Sequence, residues 1–246
     1  MEETDLSRAQ REIAHGVWLS ERDPEWIWGW GSPAGQVRAL RRSTLIAQGG
    51  HLQAGIKALE IGCGTGLFTA MFAKSGAEIL AVDISADLLK RANERELPPE
   101  QVRFMAKPFE ACGLEGPFDA VIGSSILHHL DLDPALDNIF RLLKPGGWMS
   151  FAEPNLLNPQ VFLERNLRFL FPQVSPDETA FVRRRLQAQL ERHGFDSVEI
   201  TPFDWLHPAV PEPMIGIVSV LGRMLESLPG LKQFSGSLHI VARRPD

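Results

Sequence analysis

Leu59-Glu60-Ile61-Gly62-Cys63-Gly64-Thr65-Gly66-Leu67-Phe68 is the stretch whose reading decides the fold. The largely apolar run Ile56 to Ile61 reads as a buried strand. It ends in three glycines at alternate positions. A helical pattern starts at once, with Leu67, Phe68, Met71 and Phe72 on one face. Strand, glycine turn and helix together bring backbone N–H groups close to a nucleotide-like ligand. A Cβ at such glycines would block either the turn or the ligand's approach.

The spacing narrows the choice. A dinucleotide fingerprint reads G-x-G-x-x-G, with the pyrophosphate on the helix N-terminus. Here the pattern is Glu60-x-Gly62-x-Gly64-x-Gly66, and a second strand, Glu78 to Val82, ends in Asp83. A carboxylate at that place can accept both hydroxyls of a ribose. An ordinary glycine turn does not account for the acid after the next strand. These residues resemble the first motifs of the class I S-adenosylmethionine-dependent methyltransferases of small-molecule type. The resemblance implies an α/β, Rossmann-like, seven-stranded and mostly parallel sheet, with helices on both faces and the last strand antiparallel. It also implies S-adenosylmethionine as cofactor and S-adenosylhomocysteine as product. On it, Glu60, Gly62, Cys63, Gly64, Gly66, Asp83 and Ile84 belong to the cofactor site.

The rest of the chain supports this frame. Strands are expected at 56–61, 78–83, 101–106, 118–123 and 148–153, and helices near 66–75, 85–95 and 134–143. Alternation at this spacing implies a parallel sheet with right-handed crossovers, and ligands in such sheets sit beyond the carboxyl ends of strands. After the third strand, Lys107-Pro108-Phe109-Glu110 puts proline where related enzymes often carry an acid for the adenine. Adenine would then rely on Phe109, on backbone groups or on Glu110. After the fourth strand, Gly123-Ser124-Ser125-Ile126-Leu127-His128-His129-Leu130 resembles the family's LHHL segment. The likeness brings Gly123 and Ser124 to the methionine part and one of His128 and His129 to the transfer site. That histidine is either a general base or a hydrogen-bonded structural residue. Leu142-Leu143-Lys144-Pro145-Gly146-Gly147 resembles the turn that precedes the fifth strand. Strands six and seven are expected at 197–202 and 237–242.

Residues 1–50 read as an N-terminal helical and Trp-rich arm, before a methyltransferase domain at 51–246. A helix is expected at 6–15, with Asp5 or Ser7 as cap. Trp26, Trp28 and Trp30 lie among glycines, and read either as a staple onto the core or as a lid. A helix over 36–47 carries Arg38 and Arg42 on one face, which either grips an anionic substrate or is solvated. Insertions at about 154–180 and 203–232 are where an acceptor pocket is expected. They carry Phe162, Phe169, Phe171, Arg165 and Arg168, then a helix at 177–193 whose arginines read as a solvated face. Trp30, Arg38, Asn155 and His207 are the candidate acceptor contacts, with His207 also a second candidate base. The stripe from Met214 to Leu228 reads as core or dimer packing, or as a surface for a greasy acceptor or membrane.

Composition sets outer limits. The 246 residues can form one α/β domain with decoration. A net charge of −6 opposes non-specific nucleic-acid binding, so no nucleic-acid partner is expected. Two cysteines make neither a disulfide framework nor a four-cysteine zinc site, and no metal is expected. Cys63 reads as packing. The acidic start lacks a signal peptide's pattern, and no run nears the roughly 20 apolar residues of a membrane span. The expectation is a cytoplasmic monomer or homodimer. It transfers a methyl group in line to a small-molecule acceptor, possibly hydrophobic or lipid-like. A non-catalytic SAM-fold binding or regulatory module is the alternative, and an NAD-type enzyme is disfavoured by the glycine spacing.

Overall fold

The computed structural model describes residues 8–109, 113–167 and 179–246. The arm forms α1 (Arg8–Ser20), the short α2 (Pro24–Ile27) and α3 (Pro33–Gly49). Then follow β1 (Lys57–Ile61), α4 (Leu67–Phe72), β2 (Glu78–Asp83), α5 (Ala86–Asn93), β3 (Val102–Ala106), β4 (Phe118–Ser124), α6 (Leu132–Leu142) and β5 (Leu143–Pro154). The last part holds α7 (Pro159–Asn166), α8 (Arg183–Arg192), β6 (Asp196–Phe203), α9 (Ile215–Ser227), α10 (Pro229–Lys232) and β7 (Ser237–Arg243).

All seven strands join one sheet, in the order β3-β2-β1-β4-β5-β7-β6. β1 to β5 run parallel, and β7 is antiparallel to both β5 and β6. The order reverses between β1 and β4, which opens a crevice at their carboxyl ends. Buried apolar residues fill both faces. One cluster joins Leu136, Ile139, Leu142, Leu186 and Leu190 to Phe151, and the other joins Ile46, Phe68, Phe72 and Leu89 to Ala58 and Ile79. The sheet-packing helices present apolar stripes, as in α5, where Leu88, Leu89 and Ala92 are buried.

Several expectations change in detail. α1 runs to Ser20 rather than His15, and its expected caps lie outside the described residues. α3 begins three residues early because Ser32 caps it, accepting the Gly35 N–H at 3.0 Å, with Pro33 as the first helical residue. β5 starts at Leu143 rather than 148, since the Lys144–Gly147 stretch already runs beside β4 with a register break between Phe118 and Ala120. The described part of the helix expected at 177–193 is α8, whose Arg184, Arg185 and Arg192 are exposed. Phe169, Phe171, Arg168, Glu110 and Cys112 lie outside the described residues. The stripe on α9 is not core: Gly222 is its only buried residue, and Ile217 is 61% exposed. No helix among the described residues is long and apolar enough to cross a membrane.

Candidate active site

The glycine turn closes the carboxyl end of β1. The N–H groups of Gly62 and Cys63 donate to the Val82 carbonyl at 2.8 and 3.2 Å, which ties the turn to β2. Gly62 has φ +67°, and a Cβ there would lie 2.4 Å from Ile126 Cγ1. Gly64 has φ +53°, and a Cβ there would lie 3.3 Å from the Trp28 ring. Cys63 is buried, and burial pushes its thiol well above the usual range, consistent with packing rather than thiolate chemistry.

Asp83 ends β2 beside this turn. Its Oδ2 accepts the Gly64 N–H at 2.7 Å and its Oδ1 the Ser85 N–H at 2.8 Å. An ionised carboxylate offers about four acceptor sites, so two remain for a ligand. Burial raises the Asp83 carboxyl above its usual range, and the two backbone donors oppose that rise. Glu60 is different. It is 1% exposed, its Oε2 has no hydrogen-bond partner among the described residues, and burial pushes its pKa up to about 8. It is therefore largely protonated at neutral pH.

Turn, acid and arm enclose a cleft of about 1450 Å³. Single-ligand pockets run to about 1,000 Å³, so this one has room for a cofactor and an acceptor together. The arm forms its roof. α1 packs against the start of α5, where a Cβ on Gly16 would lie 2.5 Å from Ser85 Oγ. Glu25 latches α2 to the glycine turn: its carboxylate accepts the Thr65 hydroxyl at 2.8 Å and pairs with Arg95. Arg95 Nε in turn donates to the Thr65 carbonyl at 2.6 Å. The arm roofs the cleft, but the indoles staple it only in part: Trp30 packs edge-on against Phe68, while Trp26 is 60% exposed.

Beyond β4 the chain is strained and polar. Ser125 takes φ +56°, a left-handed conformation uncommon for serine. Ser124 Oγ is buried with no partner among the described residues, and Ser124 lines the cleft. The two histidines part company here. His128 is 4% exposed, and its Nδ1 lies 2.7 Å from Glu153 Oε2 at the end of β5. His129 Nδ1 pairs at 3.2 Å with Glu12 of α1, so it serves the roof. Burial pushes Glu12 up, but the His129 hydrogen bond and charge outweigh it and hold the carboxyl below its usual range.

The wall opposite is cationic. Arg38 Nε donates to Asp204 Oδ2 at 2.8 Å. Arg42 is 4% exposed and donates to Ser125 Oγ and Ser237 Oγ, both at 3.2 Å. Its Nε is buried with no partner among the described residues. Burial brings its pKa down to about 10, which leaves it protonated at neutral pH. Both guanidiniums lie over the Trp30 ring, at 5.1 and 5.4 Å from its centroid. The solvated reading of this helix face is therefore corrected: the arginines line the cleft.

Gly62, Cys63, Gly64, Asp83, Ile84, Phe109, Ser124, His128, His129, Trp30, Arg38 and His207 all line the one cleft. Four candidates do not. Glu60 lies beneath the turn. A Cβ on Gly66 would lie 3.0 Å from Ala92, so this glycine serves helix packing. Gly123 makes room for Phe151, whose ring would lie 2.7 Å from a Cβ. Asn155 is fully buried as a clamp, its amide donating to the carbonyls of Gln233 at 2.8 Å and Ser235 at 2.7 Å. His207 Nδ1 accepts the Ala209 N–H at 3.1 Å and its Nε2 lies 3.0 Å from Gln160 Nε2, so both ring nitrogens are engaged. Sequence reasoning missed Glu12, Glu25 and Glu153, whose partners are distant in the chain.

A methyltransferase-domain family model matches residues 59–151. The ubiquinone biosynthesis O-methyltransferase of Bordetella avium (strain 197N) is 31% identical over 193 residues, covering 71% of this chain and 78% of that protein. The protein of the same name from Leptothrix cholodnii is 33% identical over 158 residues, which span 62% of this chain and 63% of that relative's length. The solved N-methyltransferase NodS from Bradyrhizobium japonicum WM9, in complex with S-adenosyl-L-homocysteine, superposes with a TM-score of 0.65 at 17% identity, covering 96% of this chain and all of that one. The last likeness is one of fold. With a glycine turn and Asp83 in one cleft and relatives matched over most of their length, the chain belongs to the class I S-adenosylmethionine-dependent methyltransferases of small-molecule type.

Proposed function

We propose that this protein methylates a hydroxyl oxygen on a small acceptor with an apolar body. The observation that carries the reading is the meeting of Asp83, the glycine turn and His128 around one cleft. The relatives named as O-methyltransferases support oxygen as the attacked atom. Trp28, Trp30, Ile126 and Leu206 in the lining support an apolar body.

The residues present fit the cofactor. Asp83 has acceptor sites left for two ribose hydroxyls. Gly62 and Gly64 leave backbone beside the methionine part. Arg42 and Ser124 line the same cleft, and the buried Arg42 guanidinium supplies a cation that suits the methionine carboxylate. Ile84 and Phe109 supply apolar contact for adenine, with no acid at Pro108. When bound, S-adenosylmethionine supplies a methyl group on a positive sulfur that is already a good leaving group. The chain's own work is to hold the acceptor in line, to exclude water under the arm, and to take the hydroxyl proton. Of the two adjacent histidines, His128 is the candidate base, because His129 is paired with the roof. The cytoplasm is the assigned compartment, and no nucleic-acid partner is assigned.

Transfer of tritium from methyl-labelled S-adenosylmethionine to a panel of phenols, catechols and amines tests this. Labelled product is expected from hydroxylated aromatic acceptors, with at least a hundredfold loss in His128→Ala, the scale of general-base catalysis. Label carried to amines alone would overturn the oxygen assignment.

A further inference from the structure

α9 turns its apolar side to solvent. On this helix and its two flanking residues, Met214, Ile217, Val220, Leu221, Met224 and Leu228 are each about half exposed, from 49% to 61%. At helical pitch they share one arc of about 120°, the width of a stripe that ordinarily faces a core. The opposite side is already engaged. A Cβ on Gly222, the helix's only buried residue, would lie 3.0 Å from Trp205 Cβ. Glu226 accepts the Asp204 N–H at 2.8 Å, and Arg41 Nη1 of α3 donates to its Oε1 at 2.9 Å. The helix is therefore held from within, and its apolar arc is presented outward.

The spacing says what fits that arc. Met214, Ile217, Leu221, Met224 and Leu228 follow at intervals of three, four, three and four, the seam that packs against another helix. The seam is nearly the same read in either direction. Leu221 is its centre, Ile217 and Met224 flank it, and Met214 and Leu228 close the ends. Such a seam complements an antiparallel copy of itself, as a two-fold, isologous interface demands. The area agrees. Leu231 and Phe234, just after α9, are exposed too. Eight half-exposed side chains at roughly 100 Å² each offer about 800 Å², what one partner buries in a standard-size interface. The largest apolar patch on a monomer is usually about 300–600 Å². A lipid surface is the poorer fit. Helices that lie on membranes are rich in Lys and Arg on their polar face, whereas α9 has Arg223 alone and the chain's net charge is −6.

We infer that α9 docks on α9 of a second copy of this chain, antiparallel and across a two-fold axis with Leu221 at its centre. The inner side of the same helix rests on Trp205, a residue of the cleft lining, so the interface stands one layer behind the cleft wall.

Sedimentation equilibrium of the full-length protein over a concentration series tests this, with wild type beside Leu221→Glu and Val17→Glu. Val17 is an exposed apolar residue of α1, outside the seam. Wild type and Val17→Glu are expected at twice the chain mass at about 10 μM, the population a micromolar or tighter dimer gives. Leu221→Glu sets two carboxylates face to face on the axis. It is expected to weaken association at least about thirtyfold, a hot-spot loss of about 2 kcal/mol, while its circular dichroism stays that of the folded chain. If that variant does not fold, the double variant Ile217→Ser, Met224→Ser takes its place with the same expectation. A monomeric wild type, a dimer that survives the seam variant, or one that Val17→Glu breaks equally would overturn the inference. So would a monomeric wild type that co-sediments with phosphatidylcholine vesicles when Leu221→Glu does not, since the strip would then serve a lipid surface.

Discussion

Glu60 and Asp83 show how two carboxyls at the ends of neighbouring strands, beside one turn, acquire different work. Asp83 retains acceptor sites toward the cleft, while Glu60 is sealed beneath it. The sequence marked both as cofactor residues, because spacing says which residues flank a turn and not which side they face. Glu60 gives a signed prediction. Its folded pKa of about 8 lies above the ordinary 4.5. Between those values the folded protein keeps a proton that the unfolded chain has lost. Its contribution is therefore full below pH 4.5 or so and lost as pH rises toward 8. Glu60→Gln is expected to flatten the pH dependence of stability by up to roughly 1 kcal/mol per pH unit across that window, and to raise the melting temperature at pH 8. Parallel wild-type and variant curves would contradict the assignment. Gly62→Ala carries a different cost, because the left-handed φ and the 2.4 Å approach to Ile126 act together. Urea unfolding is expected to show a loss of about 1–3 kcal/mol.

The arm shows what an element's sequence conceals. Helical spacing and three tryptophans disclosed an arm, but neither its fastening nor the exposure of Trp26, which is 60% exposed. Glu25 meets Thr65 and Arg95, and Arg91 donates to the Ser20 carbonyl at 2.7 Å, pairings between residues far apart in the chain. No local pattern announces them. Arg42 is a similar case: a cation on a helix face reads as solvated until Ser125 and Ser237 are seen around it. Glu25→Ala removes a charge-assisted latch worth about 1–2 kcal/mol at this partly buried site. Hydrogen exchange over residues 24–30 is expected to speed up about tenfold, while exchange in β1 and β4 stays unchanged. Equal protection in both proteins would show that the latch does not hold the arm.

At the scale of the whole molecule, strand order and parallel character were legible because β-α alternation with short turns admits few topologies. Strands six and seven were placed within a residue or two, and the antiparallel seventh came from family resemblance rather than from periodicity. The α9 stripe was legible as apolar and helical. Its exposure was not, because a period of 3.6 residues reports one face and leaves its partner unnamed. The account as a whole stands on the glycine turn and Asp83 forming a site for S-adenosylmethionine. Titration calorimetry of wild type and Asp83→Ala with S-adenosylmethionine tests it most directly. Micromolar binding is expected in the wild type, weakened by about 1–3 kcal/mol in the variant, the range for charge-assisted hydrogen bonds lost from a ligand. Folded wild-type protein that releases no heat of binding, or a variant that binds as tightly, would contradict it.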